Sequence, residues 1–208
     1  MRKILVAVLV MSSGVAVAEP MSVGVRVGGY GFRREAASAQ SDAAWTECRM
    51  QGAGLFANRT VRGPLFVEAG LDAYTSLNQA EPQDLPIDRQ SALLSSAIGV
   101  RSHVASWFAA YAQVGAGAEL TRVAVPYGDS TLRADKVLPA GFFGVGAELA
   151  YHGTHVGAMM RTLVMGNFNY DPQRLQMTGE WSQPQADQVF AASPALAAQG
   201  QFYVRHDL

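Results

Sequence analysis

The sequence is short of charge, of lysine and of cysteine. Only 16% of its 208 residues are charged, Lys3 and Lys136 are its two lysines, and Cys48 is its one cysteine. A lone cysteine cannot close an internal disulfide, and none pairs with histidine at zinc-ligand spacing, so a disulfide scaffold and a cysteine-based metal centre are both excluded. Sixteen basic against seventeen acidic side chains leave no basic field to hold a nucleic acid. Long apolar runs are missing too: beyond residue 18 none approaches the twenty or so residues that a membrane-spanning helix needs. Low charge with 21 glycines argues against a helical bundle, and the length fits one ordinary domain.

What is present starts with an export signal. Arg2 and Lys3 precede the apolar stretch Ile4 to Met11, and Ser12-Ser13-Gly14 leads to Val15-Ala16-Val17-Ala18 before Glu19. That charged, apolar, small-residue order predicts a signal peptide over residues 1–18, cleaved after Ala18, and a mature domain over residues 19–208. The apolar core is too short to anchor a helix in a bilayer, and Cys48 lies too far beyond the cut to carry a lipid. Losing Arg2 and Lys3 moves the formal charge from −1 to −3.

Apolar residues then recur at every second position, the period of a half-buried strand. Met21, Val23, Val25 and Val27 alternate with Ser22, Gly24, Arg26 and Gly28, after which Gly28-Gly29 is read as a bulge that turns Tyr30 and Phe32 to the apolar face. In Pro64 to Tyr74, Leu65, Val67, Ala69, Leu71 and Ala73 oppose Phe66, Glu68, Gly70, Asp72 and Tyr74. Six further segments sort the same way: Glu47 to Ala57, Ser91 to His103, Trp107 to Thr121, Phe142 to His152, His155 to Met165, and Ala195 to Leu208. In the first of these, Cys48, Met50, Gly52, Gly54 and Phe56 are assigned to the apolar face against Glu47, Arg49, Gln51 and Ala53. Eight strands are expected.

Long polar connections (Arg33 to Ala44, Ser76 to Arg89, Arg122 to Lys136, Asn167 to Ser193) take turns with short ones (Asn58 to Gly63, Ser102 to Ser106, His152 to Thr154). This rhythm predicts an all-β fold, an antiparallel up-and-down eight-stranded transmembrane β-barrel with long loops toward the cell exterior. The polar face carries Arg26, Glu47, Arg49, Glu68, Asp72, Arg101, Glu119, Glu148, Arg161 and Arg205, balanced in sign, and is assigned to the lumen as an ion network, since unpaired charges could not be enclosed. Glycines two residues from these charges, as in Gly115-x-Gly117-x-Glu119 and Gly144-x-Gly146-x-Glu148, would clear space for long side chains in a narrow interior. Phe56, Phe108 and Tyr151 toward the turns, with Phe32, Phe143 and Phe168 toward the loops, would form interfacial girdles.

The pattern of the mature chain resembles the small bacterial outer-membrane barrels of the OmpA/OmpX type. Phe202-Tyr203-Val204-Arg205-His206-Asp207-Leu208 is similar to their C-terminal assembly signal, with Phe202, Val204 and Leu208 as its alternating apolar positions; Leu208 stands where the family usually has Phe or Tyr, and His206 where it has an apolar residue. The resemblance implies the bacterial outer membrane as location and, as partners, the barrel-assembly machinery, outer-membrane lipid and lipopolysaccharide. It also implies a monomer with a structural or surface-contact role. Eight strands leave an interior filled by side chains rather than a pore.

Other chemistry is weaker. The repeated Gly-x-Gly-Ala-Glu-Leu at residues 115–120 and 144–149 lies in strands with no helix following, which suits packing rather than a nucleotide loop. His152 and His155 flank a turn and would need a third ligand to hold a metal. Ser102, His103 and Glu119 are the residue types of a lipid A deacylase, yet Ser102 and His103 are adjacent and point to opposite faces of a strand. Asn58-Arg59-Thr60 reads as turn chemistry. No catalytic residue, metal or cofactor is therefore assigned. The readings kept open are an outer-membrane lipid-modifying enzyme and a soluble periplasmic lipocalin-like ligand-binding barrel.

Overall fold

A computed structural model describes residues 21–33, 47–76, 88–127, 130–165 and 195–208; the expected signal peptide lies outside them. Eight strands run in sequence order: β1 (Met21–Arg33), β2 (Glu47–Arg62), β3 (Leu65–Ser76), β4 (Asp88–Ala105), β5 (Phe108–Tyr127), β6 (Ser130–Tyr151), β7 (Thr154–Met165) and β8 (Ala195–Asp207). Each pairs antiparallel with its neighbours in sequence, and β8 returns to β1 from Ser22↔Asp207 to Phe32↔Ala197, closing the barrel. Closure leaves no sheet edge along the paired lengths, the usual solution for a sheet with one apolar face.

The strands expected from the alternation are all present. In β3, β4, β5, β6 and β8 the apolar residues point outward, as their periodicity predicts: Leu71, Ile98, Val114, Val145 and Val204 are each about half exposed or slightly less. Inward on the same strands lie Asp72, Arg101, Gln113, Glu148 and Arg205, all under 10% exposed.

Three tight turns share one end of the barrel. Gly63-Pro64 joins β2 to β3, Ser106-Trp107 joins β4 to β5, and His152-Gly153 joins β6 to β7. His152 (φ 47°) and Gly153 (φ 75°) both adopt left-handed backbone, the pairing that lets a two-residue hairpin follow the right-handed strand twist. The amide of Asp207 donates to Gly153 O, and that of Leu208 to Met21 O, so the end of β8 is tied into this rim.

Four expectations need correction. Arg122 to Lys136 is not a loop: β5 and β6 continue as a hairpin up to Tyr127↔Ser130. Pro126 masked strand periodicity that Thr121, Val123 and Val125 otherwise keep. Pro139 stands one residue before the pairing of β6 with β7 begins at Ala140↔Met165, a position where a missing N–H is tolerated. Likewise Asn58 is not in a turn, because β2 runs to Arg62.

The Gly28-Gly29 bulge is absent. Gly28↔Gly52 and Gly29↔Gln51 stay in register, so Tyr30 remains on the inner face, 5% exposed. A Cβ on Gly28 would collide with the carbonyl oxygen of Gly200, and close approach of β1 to β8 is the reason for glycine there. Finally, β2 is inverted: Met50 and Phe56 point inward while Gln51, Ala53 and Leu55 face outward. Gly52 and Gly54 carry no polarity signal, so the expected face rested on Glu47, Arg49 and Gln51. Phe56 is thus an interior residue and no part of a girdle, whereas Tyr151 and Phe143 are exposed. The side chains of Phe32, Glu47, Cys48, Arg49 and Phe168 lie outside the described residues.

These contacts set apart two glycines on neighbouring strands. Gly28→Val should destabilise the barrel by about 1–3 kcal/mol through overpacking, lowering the temperature at which the folded electrophoretic form is lost. Gly200→Ala, whose Cβ would meet nothing within 4 Å, should leave that temperature unchanged.

Candidate functional site

The inner face brings the charged residues into three levels. At mid-barrel, Arg26 on β1 donates from Nε and Nη2 to the two carboxylate oxygens of Asp72 at 2.6 and 2.7 Å, and from Nη1 to Glu68 Oε1 at 2.8 Å. Arg161 on β7 reaches the same Glu68 oxygen at 2.7 Å. With its amide in the orientation that suits both ends, Gln113 accepts from Arg161 Nε and Nη2 at 3.0 and 2.8 Å. A bidentate fork onto one carboxylate, with a second carboxylate shared between two guanidiniums, is an arrangement in which buried charge is tolerated.

Toward the turns, Glu148 on β6 holds Arg205 Nη2 at 2.7 Å and Tyr203 Oη at 2.9 Å, and forms an ion pair with Arg101 at 3.1 Å. Arg205 also bonds Asp207 at 2.6 Å and Ser22 Oγ at 2.9 Å. His155 Nδ1 accepts from Arg205 Nη2 at 3.0 Å, which places the imidazole proton on Nε2, 3.0 Å from Asp207 Oδ2. Toward the long connections, Glu119 accepts from Tyr30 Oη at 2.7 Å and from Arg89 Nη2 at 3.1 Å.

Aromatic rings fill the space between these levels. The guanidinium carbon of Arg26 lies 5.3 Å from the Phe56 ring, that of Arg101 4.7 Å from Phe66, and that of Arg161 4.5 Å from Phe142. Each ring presents its negative face to a cation already paired with a carboxylate. Between the middle and turn-side levels lies a cavity of about 10 Å³, bounded by Arg26, Glu68, Arg101 and Tyr203. That is at the lower limit for one water molecule.

Of the residues singled out from sequence, Arg26, Glu68, Asp72 and Arg161 meet at one level, and Arg101, Glu148 and Arg205 at another. Glu119 stands apart with Arg89. Arg89, His155, Tyr30, Tyr203 and Asp207 were not anticipated. Asp207 shares the parity of Tyr203 and Arg205, so extending the alternation two residues would have found it; Arg89 was assigned to a loop, and Tyr30 was displaced by the supposed bulge.

Ser102, His103 and Glu119 do not assemble. Ser102 and His103 are exposed near a turn, whereas Glu119 is buried and pairs in register with Leu93, nine residues along β4 from Ser102, or about 30 Å. His152 is exposed in its turn while His155 faces inward, so they share no ligand. No group of His, Cys, Asp and Glu among the described residues could hold a metal ion.

No protein-family model and no curated protein matches the chain. Among solved structures it is similar to Neisserial surface protein A, at 12% identity over 89% of this chain and 96% of that one, with a TM-score of 0.56. It is also similar to a major outer membrane protein from Thermus thermophilus, at 12% identity over 92% and 100%, with a TM-score of 0.56. At this identity the likeness is one of fold. The chain has the eight-stranded antiparallel architecture of the small outer-membrane barrels that its sequence pattern resembles.

Removing Asp72 from the mid-barrel group leaves the buried guanidiniums of Arg26 and Arg161 to share Glu68 alone. Asp72→Ala should therefore cost about 3–5 kcal/mol, read from the urea midpoint of the refolded protein. Arg122→Ala, which breaks the exposed pair with Asp135, should leave the midpoint unmoved.

Proposed function

We propose that the protein is an integral outer-membrane barrel with a charge-paired, sealed interior, acting in envelope structure or surface contact through its long connections. The observation that carries this reading is the polarity of the wall. Val25, Leu55, Leu71, Ile98, Val114, Leu120, Val145, Val156 and Leu196 are each more than 45% exposed around the whole circumference, while arginines and carboxylates point inward. A belt of this extent is far larger than the apolar patches a water-soluble monomer exposes, and hydrocarbon is the solvent it fits. A lipocalin-like soluble barrel requires the reverse arrangement, with a greasy centre and a polar exterior.

Exchange of the two faces would be costly, since a single arginine turned to lipid near the midplane costs about 2–4 kcal/mol. A lumen occupied by paired ions and rings leaves no aqueous path for solutes, so the protein serves as a platform for its connections rather than as a channel. Export by the signal peptide and insertion by the barrel-assembly machinery follow from the same reading, with Phe202, Val204 and Leu208 outward on β8 and at its end as the apolar positions for recognition. The short turns then face the periplasm, and the long connections face outward.

In planar bilayers the purified protein should show no large, steady conductance; such a conductance would refute the sealed interior. Removal of Leu208 should reduce the heat-modifiable, membrane-assembled fraction in cells without changing refolding into detergent, whereas equal assembly would argue against an assembly role for the last residue. Altered acylation of lipopolysaccharide after incubation with the purified barrel would favour a lipid-modifying enzyme instead.

A further inference from the structure

Arg205 has no donor to spare. Its Nε and Nη2 donate to the two oxygens of Glu148 at 3.1 and 2.7 Å, and its Nη1 to Asp207 Oδ1 at 2.6 Å and Ser22 Oγ at 2.9 Å. The remaining hydrogen of the guanidinium, on Nη2, goes to His155 Nδ1 at 3.0 Å. His155 Nε2 in turn lies 3.0 Å from Asp207 Oδ2. The three side chains thus close a ring, from guanidinium to carboxylate, carboxylate to imidazole, and imidazole back to guanidinium. With His155 8% and Arg205 4% exposed, the ring is enclosed.

Only one form of the imidazole fits it. Nε2 carries the proton given to Asp207, and the lone pair of Nδ1 receives the guanidinium hydrogen. A second proton, on Nδ1, would point at Arg205 Nη2, donor against donor and cation against cation. The nearest carboxylate for it is Glu148 on β6, whose Oε1 lies 3.5 Å from Nδ1. That oxygen is already approached by Arg205 Nη2 and, at 3.1 Å, by Arg101 Nε from β4. The other oxygen holds Tyr203 Oη and Arg205 Nε. A carboxylate offers about four lone-pair sites, and those of Glu148 are taken. Beyond these groups, Tyr111 of β5 packs on Tyr203, while β1 and β2 bring Ser22 and Asn58, which do not titrate.

We infer that this ring is an acid-released latch on the closing seam: a proton taken up by His155 parts the imidazole from Arg205 and frees the end of β8. A guanidinium is planar and rigid, so withdrawing Nη2 from the imidazole also turns Nη1 away from Asp207 and Ser22. Those contacts sit where the seam ends. Arg205 ties β8 to Ser22 of β1, the amide of Asp207 donates to Gly153 O, and that of Leu208 donates to Met21 O. His206, between them on β8, points outward with its Nδ1 3.1 Å from Thr154 Oγ1 and takes no part in the ring. The latch is a property of the turn end whichever side of a membrane that end faces, so it stands apart from the function proposed above.

The test takes the full mature protein, isotopically labelled and refolded in detergent micelles, and follows backbone amide exchange by NMR, corrected for the intrinsic pH dependence of exchange. Between about pH 7.5 and about pH 5.5 imidazoles change charge while carboxylates stay ionised. Over that interval the wild-type amides of Asp207 and Leu208 should lose about tenfold in protection, the factor carried by one charge-assisted hydrogen bond. His155→Gln, whose amide can donate to Asp207 and accept from Arg205 without ever charging, should hold both protections constant. His206→Gln should respond as wild type does. Each variant must keep heat-modifiable migration, and one check needs no substitution: the wild-type imidazole nitrogen shifts at neutral pH should place the proton of His155 on Nε2. A proton on Nδ1 overturns the latch, as does wild-type protection unchanged by acid. So does an acid response that survives in His155→Gln or vanishes in His206→Gln.

Discussion

Arg26 reaches over Gly54 of the intervening β2 to grip Asp72 with two nitrogens and Glu68 with the third, and Arg161 reaches Glu68 from the far wall. An eight-stranded cylinder is too narrow for bulk water to solvate such groups, so each guanidinium must find its counter-charge on another strand or be excluded from the interior. That requirement sets the register. A slip of one residue in β3 would send Glu68 and Asp72 outward and leave two arginines buried without partners. The aliphatic exterior is the other half of the same constraint, because alternation that points ions inward necessarily points Val, Leu and Ile outward.

The interior is also balanced level by level. Arg26 and Arg161 face Glu68 and Asp72 at mid-barrel; Arg101 and Arg205 face Glu148 and Asp207 near the turns; Arg89 faces Glu119 near the long connections. Local neutrality matters more than overall neutrality here, because the desolvation cost of each buried ion is offset only by a partner at hydrogen-bonding distance. Tyr30 and Tyr203 extend the carboxylates' coordination with hydroxyl donors, and Phe56, Phe66 and Phe142 supply faces for the guanidinium planes.

Much of this could be read from the chain because strand periodicity and charge sorting report one fact twice. Where a charged residue sat inside the apolar alternation, as with Asp72 in β3 or Glu148 in β6, the face was legible, but Glu47 and Arg49 at the start of β2 led to the wrong one. Legibility failed where glycine interrupted the pattern. In β2, Gly52 and Gly54 separate Met50 from Phe56, and nothing in that run says whether an aromatic residue belongs to lipid or to the lumen. In β1 the glycine pair suggested an irregularity, whereas the two glycines admit a neighbouring backbone. The length of the β5–β6 hairpin was hidden by Pro126, whose turn-forming character outweighed the β-branched residues around it. The grouping of ions into levels lay beyond sequence reasoning altogether, since it depends on stagger between strands distant in the chain.

The seam between β1 and β8 joins Ser22 to Asp207, nearly the two extremes of the described chain. Every other pairing links strands adjacent in sequence and can form as the polypeptide emerges; this one must wait for the last strand. Until then β1 and β7 are open margins with unsatisfied amides and carbonyls, and the aliphatic wall has no lipid around it. Such a half-built sheet is a template for aggregation, and only the meeting of the chain's two end strands removes it.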